Sequence, residues 1–156
     1  MSSPKKELRK DILISVVISI IVFGILYWAG HPRIVVKNIG PFNSTITTVL
    51  GLLFTVLAIV YTFESQFEKN RAVKKLKTQG HYKDITQVFF LSVAIIGVVW
   101  IYTFTVTVFA VESFFNSTLG LILGYLAVLS FIVVIFRVVR CFWVFVLLNK
   151  AVKSSE

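Results

Sequence analysis

The chain has 156 residues, 57% of them hydrophobic and only 15% charged, with a mean hydropathy of +0.89 and a formal net charge of +9. A water-soluble domain averages about 45–50% apolar and about 25% charged residues, so a soluble enzyme or a soluble nucleic-acid-binding module does not fit. Apolar runs of about 18 or more residues are what a hydrocarbon core about 30 Å thick demands, and the chain has four of them.

The first predicted span is Ile12–Trp28, preceded by Lys5, Lys6, Arg9 and Lys10. Basic residues before an apolar stretch also resemble a signal peptide. The run is long for a signal sequence, however, and Trp28 and His31 make a poor cleavage site, so it is read as a membrane helix. A short loop from Gly30 to Phe42, carrying Pro32 and Pro41, leads to the tetrapeptide Phe42-Asn43-Ser44-Thr45. The second span follows over Thr45–Phe63. On it Thr48, Gly51, Thr55, Ala58 and Thr62 recur at steps of 3, 4, 3 and 4, which places five small residues on one seam. In lipid, small residues let helix backbones approach, and threonine hydroxyls bond across the contact. The seam is expected to pack helices within one chain, to join copies of it, or to line a pore.

Beyond Glu64 no helix breaker intervenes before Gly80, so the second helix is expected to run on past the membrane. Arg71, Lys74, Lys75 and Lys77 form its basic face, opposite Ala72, Val73 and Leu76, in the pattern of a membrane-surface helix or a simple charge anchor. The third span is Ile85–Val111. A second Phe-Asn-Ser-Thr, residues 115–118, opens the fourth span, Thr118–Phe136, which stays apolar to Leu148. This span holds Gly120-x-x-x-Gly124, a weak helix-packing motif, and Arg137-x-x-Arg140 at its end. Two arginines at the edge fall short of a voltage sensor, which needs 3–4 gating charges in each subunit. The following stretch, Cys141-Phe-Trp-Val-Phe-Val-Leu-Leu-Asn149, is apolar nearly all round and is a candidate partner surface. The lone Cys141 forms no internal disulfide. It is expected to be a small buried side chain, with palmitoylation as the less favoured reading.

Of the 16 Lys and Arg, 14 precede span one, lie between spans two and three, or stand at or beyond the end of span four. Only Arg33 and Lys37 fall on the other side. This positive-inside bias predicts a multi-pass cell-membrane protein with both termini cytoplasmic. An anionic cytoplasmic leaflet accounts for the basic groups, so no nucleic-acid partner is called for.

The two copies of Phe-Asn-Ser-Thr lie 73 residues apart. Aligning residues 10–80 with 83–153 at that offset gives 18 identities in 71 pairs without a gap, among them Lys10-Asp11-Ile12 on Lys83-Asp84-Ile85, Ser19 on Ser92 and Gly51 on Gly124. Chance matches between apolar runs do not explain Lys, Asp, Ser, Gly and Asn in register. The expected fold is therefore all-α: one four-helix transmembrane domain made of two helical hairpins, repeat 1 over about 10–80 and repeat 2 over about 83–153. Both hairpins enter from the same side, so the repeat is parallel, with a pseudo-two-fold axis along the membrane normal. The offset sets Glu64 on Arg137, at equal depth and with opposite charge, and these two are expected to pair. Asn43 and Asn116 satisfy the N-x-S/T glycosylation pattern but also stand where helices begin, and helix capping is the preferred role.

No ionisable residue falls inside the four apolar runs, which disfavours an ion-coupled transporter. Size, basicity and span number are similar to the membrane-bound glutathione and eicosanoid enzymes. Their Arg-x-x-x-Asn-x-x-Glu pattern is missing, the nearest run being Glu68-Lys69-Asn70-Arg71. No catalytic set, cofactor motif or metal-ligand cluster is found, and His31 and His81 are expected on opposite faces of the membrane. The expected function is that of a non-enzymatic accessory or assembly subunit, partnered by other membrane subunits or by itself. The alternative is a small homo-oligomeric pore lined by the threonine seam.

Overall fold

A computed structural model describes residues 4–32, 34–66, 81–109 and 117–153. All regular structure among them is helical: α1 (Pro4–Trp28), α2 (Ile34–Lys37), α3 (Ile39–Gln66), α4 (His81–Phe109) and α5 (Thr118–Lys153). The four long helices each hold a stretch long and apolar enough to cross a membrane, namely Lys6–Trp28, Ile39–Ile59, Ile85–Phe109 and Thr118–Val146. The chain is thus an integral membrane protein with a four-helix bundle.

Local chemistry sets the boundaries. α1 stops because Gly30 takes a left-handed conformation (φ 77°), in which its N–H donates to the Tyr27 carbonyl and that of His31 to the Leu26 carbonyl. This glycine-closed helix end satisfies carbonyls that would otherwise face the membrane edge bare. The chain then makes the short turn of α2 before entering α3 at Ile39. Pro41 sits in the first turn of α3, where a missing N–H costs nothing. At the start of α5, Ser117 holds the flanking position, and its carbonyl accepts from the N–H of Gly120.

Packing runs in the order α1, α5, α4, α3. α1 lies on α5, α3 lies on α4, and α4 joins α5, while α1 and α3, the arms of the first hairpin, barely touch. The central helices α4 and α5 each bury 33% of their most apolar window, against 17% for α1 and 11% for α3. The buried stripe of α3 is Ile39, Ile46 and Leu53, spaced by seven. It meets a stripe on α4 that includes Phe89, Val93, Ile96 and Val99, forming the main apolar core.

At the end that carries the α1–α3 loop, α2 packs on α5. Gly120, Gly124 and Ala127 are buried there, and a Cβ built on Gly124 would stand 2.8 Å from the carbonyl oxygen of Pro32. The Gly-x-x-x-Gly motif of span four is therefore consumed within the chain, where it admits the first loop against the helix. Phe23 on α1 and Tyr125 on α5 close this end with an edge-to-face pair at 5.7 Å.

Candidate functional site

Two features stand out: a buried charged cluster between α1 and α5, and an uncovered seam on α3. Glu7, Asp11, Ser15 and Ser19 recur every fourth residue, so they share one face of α1, the face turned to α5. Ser15 and Ser19 are fully buried, and their hydroxyls donate to the carbonyls of Asp11 and Ser15 one turn back. Self-satisfied serines cost little in a dry interface and keep it narrow. At the end of this stripe Asp11 is 6% exposed and Arg137 of α5 is 3% exposed. Arg137 Nη2 donates to Asp11 Oδ2 at 2.8 Å. Arg140 Nη2 donates to Asp11 Oδ1 at 2.8 Å and to Glu7 Oε2 at 2.7 Å, and its Nε donates to Asp11 Oδ2 at 3.3 Å. Asp11 thus joins two guanidinium groups, and two acids balance two bases.

Asp11 stands just before the apolar run of α1, and Arg137 and Arg140 just after that of α5, so the cluster sits at the edge of the apolar runs, within the helices that carry them. Arg137 finds a carboxylate in Asp11, on the first helix; the expected pairing with Glu64 falls on a side chain outside the described residues. Sequence reading passed over Asp11 because Lys10 precedes it and the apolar run begins just after it. The discoverable pattern was the four-residue step from Glu7 to Ser19, a polar stripe on an apolar helix, facing Arg137-x-x-Arg140.

The α3–α4 pair is fastened differently, toward the end that carries the α1–α3 loop. Thr103, fully buried, donates to the side-chain oxygen of Asn43 at 2.9 Å, and Trp100 Nε1 donates to Thr47 Oγ1 at 2.9 Å. Tyr102 donates from its hydroxyl to the Leu123 carbonyl at 2.9 Å, which ties α4 to α5. Asn43 is therefore no helix cap: α3 begins four residues earlier, and its side chain bridges two helices. Asn116 lies outside the described residues, as do Arg71, Lys74, Lys75 and Lys77.

The seam of Thr48, Gly51, Thr55, Ala58 and Thr62 is exposed along its whole length, on the side of α3 away from its buried stripe. Nothing stands within 4 Å of a Cβ built on Gly51. Among the described residues, α3 meets α4 through its isoleucine and leucine stripe and not through this seam. Thr48, Thr55 and Thr62 donate to the carbonyls of Ser44, Gly51 and Ala58, so the hydroxyl protons are satisfied without water.

Cys141 is buried, a small side chain packed in the core. Beyond it, Phe142, Trp143 and Phe145 are exposed. His31 is exposed in the α1–α3 loop, and His81 opens α4 at the opposite end of the bundle. Among the described residues no group of three or more His, Cys, Asp or Glu could hold a metal ion. No family model matches the chain, and neither a curated protein nor a solved structure is similar to it.

Proposed function

We propose that the chain is a non-enzymatic accessory or assembly subunit of a larger membrane complex, seated in the cell membrane with both termini cytoplasmic. The observation that carries this reading is the uncovered small-residue seam on α3. Membrane helices concentrate such residues where another helix approaches, and among the described residues nothing stands within 4 Å of a Cβ built on Gly51, at the middle of the seam. The wide free faces of α1 and α3, the two peripheral helices, agree with a subunit that completes its packing against others. The cytoplasmic placement of the termini rests on the distribution of Lys and Arg.

The parallel-repeat origin also belongs to this reading, and helix register favours it. Phe23 faces Tyr125 in the α1–α5 pair, and Trp100 meets Thr47 in the α4–α3 pair. Carried back by 73 residues on α4 and forward by 73 on α3, the second contact sets Tyr27 against Gly120. That is within one residue of the register that Phe23 and Tyr125 define for antiparallel helices.

The pore reading receives less support. A conduit needs hydroxyls that bind passing solute, whereas these threonines already donate to their own helix and can face lipid or protein without loss. The discriminating experiment is purification of Gly51→Leu and wild-type chains in mild detergent. The accessory reading expects defined membrane subunits to co-purify with the wild type and to be lost with Gly51→Leu. A clean homo-oligomer that leaks ions in liposomes, and is blocked by Thr55→Phe, would replace it with the pore.

A further inference from the structure

The charged cluster has a second side. Asp11, Ser15 and Ser19 occupy the face of α1 turned to α5, whereas Lys10, Ile14, Ile21 and Ile25 run up an adjacent face and are all exposed. On α5, Arg140 lies at the edge of the same interface, its side chain 30% exposed. Trp143 is one turn further along, with 60% of its surface open. Because α1 and α5 are antiparallel, the helical positions of Lys10, Arg140 and Trp143 fall on the same flank of the α1–α5 seam. Asp11 and Glu7 engage Nε and Nη2 of Arg140, and among the described residues Nη1 has no partner.

We propose that this flank is a binding site for an anionic phospholipid of the leaflet at that end of the bundle. The headgroup phosphate meets Lys10 and Nη1 of Arg140, and an acyl chain lies along Ile14, Ile21 and Ile25. Three features match that occupant. The carboxylates fix the guanidinium in place, so binding need not order a free arginine. Within residues 6–11 of α1 and 137–140 of α5, Lys6, Arg9, Lys10, Arg137 and Arg140 outnumber Glu7 and Asp11 by three. Trp143 stands one turn beyond the cations, at the depth where tryptophan meets headgroups. A basic foot below an apolar wall about 16 Å long, from Lys10 to Ile21 at about 1.5 Å per residue, matches the roughly 15 Å hydrocarbon depth of one leaflet.

The inference requires only that the chain spans a membrane and is independent of its role as a subunit. The test is native mass spectrometry of the full-length chain from nanodiscs holding equal phosphatidylglycerol and phosphatidylcholine. The expected result is preferential retention of one phosphatidylglycerol, reduced about fivefold by Lys10→Gln, since a lysine near an anionic surface contributes about 1 kcal/mol. Trp143→Ala is expected to lower retention as well, and Lys37→Gln, in the α1–α3 loop, to leave it unchanged. Equal retention of the two lipids, or equal losses with Lys10→Gln and Lys37→Gln, would overturn the site. Displacement of phosphatidylglycerol by millimolar inorganic phosphate alone would reassign it to a free anion.

Discussion

The α1–α5 and α3–α4 pairs, which the proposed repeat would relate, are held by different chemistry at opposite ends. In the first pair two carboxylates and two guanidinium groups meet at the end that carries the amino terminus, with serines above them. In the second the polar fasteners are neutral, Asn43 with Thr103 and Thr47 with Trp100, and stand near the α1–α3 loop. Matching glycines diverge in the same way. Gly124 is pressed against the Pro32 carbonyl, whereas Gly51 looks into open space. Apolar stripes are enough to set helices side by side in register. Which polar groups lock them, and at what depth, is free to change, because each lock needs only two or three residues.

The largest effect that would sharpen this contrast is removal of Asp11. Asp11→Ala leaves Arg137 buried without its carboxylate, and a stranded buried charge costs about 3–5 kcal/mol. Thermal unfolding in detergent should show it as the most damaging single change. Next comes Gly124→Leu, expected to cost about 1–3 kcal/mol by driving a side chain into Pro32, while Gly51→Leu leaves the stability of the monomer nearly unchanged. Equal effects at the two glycines would break the comparison. Thr103→Val removes a neutral interhelical bond and should cost about 0.6 kcal/mol, in the range measured for such bonds in membranes. Smallest is Glu7→Gln, at about 0–1 kcal/mol, because the Glu7–Arg140 pair is partly exposed.

Hydropathy made the number and rough limits of the spans legible, since lipid imposes length and apolarity on every crossing helix. The proposed repeat rests on small and polar identities that lipid does not dictate, Asp11 with Asp84 and Ser19 with Ser92 among them. Partner choice was not legible. The offset between Glu64 and Arg137 gave only matching positions, and Asp11 reached Arg137 through a helix pairing that joins the first span to the last. The direction of the threonine seam was hidden for a related reason. Two stripes with heptad-like spacing run along α3, and only their burial separates the one that meets α4 from the one that faces outward. Asn43 was misread because α3 starts before Pro41, where sequence rules favour a loop.

The central claim is that a buried charge pair, Asp11 with Arg137, fastens the first and last membrane helices together. A double-mutant cycle on Asp11→Leu and Arg137→Leu, followed by unfolding in detergent, tests it most directly. Each single change should destabilise by several kcal/mol. The double change should recover most of the loss, giving a coupling of at least about 2 kcal/mol, because replacing both buried ions by apolar groups is often neutral. Losses that add to within about 0.5 kcal/mol would contradict the pairing.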